Sequence, residues 1–307
     1  MGMSDPEQRR LRPYGWQFIG LAGLGVNTAG SYAAAAAIII VAPLLTAVLL
    51  GLAVGISAAV KHDPPGTINP VMAAVEQYVP IILAGAAVLY SVARIHRRPW
   101  QSLVAPNLRI DRRRLAIGFG VELAILAGQL AILRVAFGWT WAFSLRPVLP
   151  LIAAGLLLVP LQAASEEILF RAYLTQALGR IVRSRIAIAL AVALVFGLLH
   201  LNAYGPLTVP YFFVVSLIFS LVSLRDDRLE LAIGGHSAMN LVAFTLAASV
   251  PVEPGQIGIV ETTVTFNGAA IAILILNGAL FYGLTRLFVG LLCDRSPPDA
   301  PDRIASI

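Results

Sequence analysis

Residues 147 to 178 read PVLPLIAAGLLLVPLQAASEEILFRAYLTQAL. After Pro160 the run meets no proline and no turn signal before Gly179, so the pattern predicts a helix over about 150 to 178. Its first half is apolar enough to cross a bilayer, which takes about 20 such residues. Its second half carries Glu166, Glu167 and Arg171. Charged side chains are costly inside a bilayer, so those present usually line a site or a polar pathway.

Composition extends this reading to the whole chain. Of its 307 residues, 58% are hydrophobic and only 12% charged, and the mean hydropathy is +0.83. Apolar runs fall at 32 to 60, 71 to 95, 113 to 137, 147 to 167, 186 to 202, 208 to 224, 229 to 250 and 263 to 292. Spanning backbone must satisfy its own hydrogen bonds, and runs this uniform suit helices rather than barrel strands. The expectation is an all-α polytopic membrane helical bundle of about eight transmembrane helices. A single transmembrane domain over 32–292, with a core at 147–250, is expected between an interfacial segment 1–31 and a Pro-rich, disordered tail 293–307.

Basic residues set the orientation. Arg9, Arg10 and Arg12 precede the first run, and Arg94, Arg97, Arg98, Arg109, Arg112, Arg113 and Arg114 surround the second connection. Arg180, Arg183 and Arg185 lie in the fourth, Arg225 and Arg228 in the sixth, and Arg286, Arg295 and Arg303 at the end. The alternate connections hold Lys61 and Arg146 alone, so both termini are expected in the cytoplasm. Trp16 and Trp100 beside cytoplasmic ends, with Trp139 and Trp141 in an outer connection, fit an interfacial aromatic belt. The net charge of +6 then reflects topology and contact with anionic lipids, and no basic cluster with interleaved aromatics argues for nucleic acid. One cysteine, Cys293, excludes an intrachain disulfide framework, and the arginines near the start are accompanied by Asp5 and Glu7, which does not suggest a cleaved leader. The low lysine count hints at a GC-rich prokaryote and hence a multi-pass protein of its cell membrane.

Spacing brings the polar residues to comparable depth. Counting along the chain, Glu166 and His200 each lie about 21 to 23 Å from the basic turn between them, at 1.5 Å per residue. His236 and Asn240 lie about 12 to 18 Å past Arg228, a difference that helix tilt can close. Glu167 and Arg171, Phe196 and His200, and His236 and Asn240 are all four apart and share a helix face. Three helices can therefore point polar faces at one pocket, expected to open toward the cytoplasm. Arg171 is a natural partner for Glu167, which makes that pair a site-shaping ion pair. Glu166 points about 100° away from its neighbour, free to act as general base for water.

Three ordered elements, Glu166-Glu167-x-x-x-Arg171, Phe196-x-x-x-His200 and His236-x-x-x-Asn240, resemble the CPBP family of intramembrane endopeptidases, also called Abi, which includes the type II CAAX prenyl endopeptidases. The likeness covers about 147 to 250. It implies peptide-bond hydrolysis by a water that Glu166 activates with His200, while His236 and Asn240 stabilise the oxyanion, with Glu167, Arg171 and Phe196 shaping the site. It also implies a peptide or lipidated-protein substrate at the membrane. Glu166, His200 and His236 could instead hold a catalytic zinc, but the His-Glu-x-x-His signature is absent, and a metal-free glutamate mechanism is favoured. The alternative from another class is a non-catalytic transporter or bacteriocin-immunity scaffold using the same polar cluster. Glu122 and Arg134, twelve residues apart in the third run, read as partners of other helices or the interface rather than as catalytic groups.

Overall fold

In a computed structural model, residues 15–61, 69–137, 145–201, 206–248 and 268–293 are described. Every regular element among them is helical: α1 (Trp16–Gly20), α2 (Ala29–Lys61), α3 (Pro70–Arg94), α4 (Arg112–Phe137), α5 (Leu145–Glu166), a π segment (Glu167–Leu174), α6 (Thr175–Leu178), α7 (Arg185–Leu199), α8 (Val209–Asp226), α9 (Glu230–Ala248) and α10 (Gly268–Leu292). The protein is a polytopic helical membrane protein. Each expected apolar run contains a helix among the described residues. Among the described residues, six helices are long and apolar enough to cross. The run at 186 to 202 becomes α7, with 15 residues, or about 22 Å against a hydrocarbon core of about 30 Å. The run at 229 to 250 becomes α9, 19 residues that include Glu230, His236 and Asn240, and it is not among the six.

Close packing rests on small residues where backbones meet. A Cβ at Gly118 of α4 would strike the Leu231 carbonyl of α9, and one at Gly234 of α9 would strike that of Leu115. A Cβ at Gly85 of α3 would collide with Ser165 of α5. Helix α2 lies at the periphery, with Ile40, Leu44, Leu49, Leu52 and Ile56 exposed where lipid can cover them. Glu122 of α4 is buried and accepts a hydrogen bond from Asn277 Nδ2 of α10 at 3.1 Å, the interhelical pairing expected of it.

The arginine-rich connections gather at one end of the bundle. Phe18 N donates to Asp227 Oδ1 at 3.0 Å, Arg98 to the Leu21 carbonyl at 3.0 Å, Gln176 to the Ser102 carbonyl at 2.9 Å, and Arg228 to the Arg109 carbonyl at 2.7 Å. These bonds tie the N-terminal turns, both ends of the 95–111 connection and the α8–α9 turn into one polar layer. Asp227 closes α8 with φ +54°, a left-handed conformation that an aspartate tolerates better than most side chains. The expectations for Arg9, Arg10, Arg12, Trp139, Trp141 and the tail from 294 onward, and for the side chains of Arg134 and Arg146, lie outside the described residues.

Candidate active site

The long helix changes its winding where the carboxylates begin. Residues 145 to 166 are α-helical, but Glu167–Leu174 form a π segment before α6 resumes the α form. A π turn holds more residues than an α turn, and such turns recur at functional sites. The angular step between Glu166 and Glu167 falls below 100° as a result. Both carboxylates can then address the same imidazole.

That imidazole belongs to His236 on α9. Its Nδ1 lies 2.7 Å from Glu167 Oε1, and its Nε2 lies 3.5 Å from Glu166 Oε2. A carboxylate only accepts, so Nδ1 carries the proton given to Glu167, a tautomer assigned from its partners. Asn240, one turn on, sets its Nδ2 3.0 Å from His236 Nε2 and 2.9 Å from Gln162 Oε1 of α5. Phe219 of α8 stacks on the ring from behind, with centroids 5.3 Å apart. His236 is thus held at both nitrogens and on one face.

Arg171 is the other partner of Glu167. Its guanidinium lies 3.1 Å from Glu167 Oε1, both side chains are fully buried, and its Cζ sits 4.4 Å over the Phe196 ring. Phe196 also lies 4.6 Å from the His200 ring. His200 donates from Nδ1 to the Phe196 carbonyl at 2.8 Å and stacks on Phe212, with centroids 3.8 Å apart. It lies within reach of the Glu166 and Arg171 charges.

Glu166, Glu167, Arg171, Phe196, His236 and Asn240 are therefore joined by direct contacts, and His200 stands at their edge. The expected division between the two glutamates needs one correction. Glu167 is tied to Arg171 as predicted, but it also orients His236. Sequence reasoning missed Gln162, Phe212 and Phe219. Gln162 lies one turn before Glu166, a spacing that could have flagged it, whereas the two phenylalanines belong to an apolar run that carries no such signal.

A catalytic zinc asks for three ligands around one point. Among the described residues no three His, Cys, Asp or Glu side chains group in that way. The ring orientations are not the obstacle: Glu167 holds His236 Nδ1 and the Phe196 carbonyl holds His200 Nδ1, which leaves Nε2 of each imidazole as the free lone pair, though the Asn240 amide faces that of His236. Glu166, His200 and His236, the set named for zinc, are not gathered around one point in this arrangement.

A second polar layer steadies the π segment from the arginine-rich end. Tyr173 Oη lies 3.0 Å from His96 Nε2, whose Nδ1 lies 2.8 Å from the Val26 carbonyl. Burial pushes the His96 imidazole below its ordinary pKa, with the Val26 carbonyl opposing and Arg98 assisting. Arg98 itself is pushed down to about 10 by burial.

Residues 146–242 match the sequence profile described as type II CAAX prenyl endopeptidase Rce1-like, and every contact above among 162, 166, 167, 171, 196, 200, 236 and 240 falls inside that stretch. The chain carries an Rce1-like domain of the type II CAAX prenyl endopeptidase (CPBP/Abi) family. Over 172 residues it is 27% identical to the uncharacterized protein YyaK of Bacillus subtilis (strain 168). The alignment covers 53% of this chain and 58% of that relative, so the chain spans well under two thirds of the relative's length. No solved structure matches the chain.

Proposed function

We propose that the chain is an intramembrane endopeptidase in which Glu166, without a metal, activates water to hydrolyse a peptide bond. The observation that supports this best is the pair Glu166 Oε2 and His236 Nε2 at 3.5 Å, with the far side of the imidazole fixed by Glu167. Glu166 takes a proton from water as the oxygen bonds to the substrate carbonyl carbon, and the carbonyl electron pair moves onto its oxygen. Donors that do not have to move when this charge develops lower the barrier most. The Asn240 amide is the donor group closest to that position, with its N–H groups now on Gln162 Oε1 and His236 Nε2. His236 becomes a second donor once Nε2 is protonated as well, and His200 completes the wall beside Glu166. The C–N bond then breaks, and the leaving nitrogen takes the proton from Glu166.

The substrate in this reading is a peptide segment or lipidated protein that reaches the site through the membrane, with lipids around the bundle. Helices α7 and α9 complete an eight-helix layout in this reading, both termini face the cytoplasm, and the pocket opens on that side. Cleavage products of membrane proteins in cells with the native chain or with Glu166→Gln test the reading. Loss of a defined set of products with Glu166→Gln and with His200→Ala is expected. If both variants leave every product in place, the peptidase reading fails and a non-catalytic scaffold takes its place.

A further inference from the structure

A cleft lies on the arginine-rich end, away from the carboxylates. It holds about 380 Å³ and is lined by Asn107, Arg109, Asp111, Arg112, Arg113 and Arg228, beside the exposed Ile110. Its floor is rigid. Arg228 binds Glu230 through Nε at 3.1 Å, Asn107 Oδ1 at 3.1 Å and the Arg109 carbonyl at 2.7 Å, while Asp111 N donates to Glu230 Oε1 at 2.9 Å. These bonds hold Leu108 at φ +57°, a left-handed conformation that a leucine adopts only when its surroundings impose it.

Charge in the cleft is unevenly matched. Glu230 neutralises Arg228, and Arg114 is shared between Asp111 at 3.3 Å and Asp226. Arg109, Arg112 and Arg113 are exposed, and their side chains form no ion pair or hydrogen bond among the described residues. The first amides of α4 do not contribute, because Asp111 Oδ1 already accepts from Arg113 N and Arg114 N. Three unmatched guanidinium forks on a rigid floor suit an anion with several oxygens, because each fork can give two parallel hydrogen bonds. Arg112 opens a helix long enough to cross the membrane, which sets the cleft at headgroup level.

We propose that this cleft binds a phosphate group, carried either by an anionic phospholipid or by a soluble phosphate. The proposal is independent of the peptidase reading. It is tested on the full chain in phosphatidylcholine nanodiscs, with phosphatidylglycerol or inorganic phosphate as probe and bound probe counted by native mass spectrometry. About one phosphatidylglycerol per chain is expected to stay bound, with affinity falling at least about tenfold when Arg109→Gln, Arg112→Gln and Arg113→Gln are combined. Arg180→Gln with Arg183→Gln, two exposed arginines of the neighbouring connection, is the control for diffuse charge and should leave binding unchanged. Retention of phosphatidylglycerol that millimolar inorganic phosphate does not displace assigns the lipid. Saturable binding of inorganic phosphate, lost in the triple variant, assigns the soluble ligand. Equal binding by the native chain and the triple variant overturns the proposal, as does an equal loss in the control.

Discussion

Two buried arginines in this bundle live differently. Arg228, at the polar end, gives hydrogen bonds to Glu230, Asn107 and the Arg109 carbonyl. Arg171, in the interior, is 1% exposed, yet none of its three nitrogens finds an aligned hydrogen bond among the described residues. It is held by its charge contact with Glu167 and by the Phe196 face. Glu167 also has a free oxygen, Oε2, while Oε1 serves both Arg171 and His236. A saturated cluster fixes the backbone around it. An unsaturated one keeps hydrogen-bonding capacity for water or a substrate carbonyl, and that capacity marks where chemistry can take place.

The difference can be broken from either side. Glu166→Gln should lower peptide cleavage by about 10⁴-fold, the upper range for a positioned base, with little change in thermal midpoint. Activity within tenfold of native would remove Glu166 from the reaction. Glu230→Ala should do the reverse. Stranding the buried Arg228 is expected to cost about 3 to 5 kcal/mol of stability, read from thermal unfolding in detergent, and an unchanged midpoint would show that the clamp is idle.

Smaller effects sharpen the contrast. Phe196→Leu removes the aromatic face under Arg171 and should lower stability by about 1 to 2 kcal/mol. No change would mean that Glu167 alone carries the guanidinium. His96 supplies a pH test. Because folding lowers its pKa, the folded chain binds fewer protons than the unfolded one as pH falls below about 6.5. The contribution of His96 is present above that pH and is lost as pH falls further toward its folded value. His96→Gln should flatten that slope in thermal midpoints measured between pH 7 and 5; a slope equal to that of the native chain would place the titration elsewhere. Last, chelation of divalent metals should leave cleavage unchanged. Restoration of lost activity by added zinc would overturn the metal-free reaction.

Much of the architecture was legible because length and apolarity dictate it. A run such as 71 to 95 has only one way to satisfy its backbone in lipid, and it forms α3. The end of α7 was less legible, since apolarity alone does not reveal that this helix stops after 15 residues. In the site, four-residue spacing was enough to pair Glu167 with Arg171 and His236 with Asn240. The double duty of Glu167 was hidden because a helical wheel assumes 100° per residue throughout, which the π segment breaks. Gln162 and Phe219 were hidden for another reason: an amide and an aromatic ring are ordinary in a membrane helix until a partner from another helix meets them.

The wide turns of Glu167–Leu174 also have an arithmetic meaning. The helix carries surplus chain at that point, and a version one residue shorter would wind as a plain α-helix. Everything beyond the deletion would then turn relative to Glu166 by roughly half of the 100° step of a plain α-helix, because the tighter winding makes up the rest. Tyr173 would leave His96, and Gln176 would leave the Ser102 carbonyl. The alignment between the reactive half of the helix and its anchoring half is thus set by how many residues lie between them, as firmly as by which residues they are.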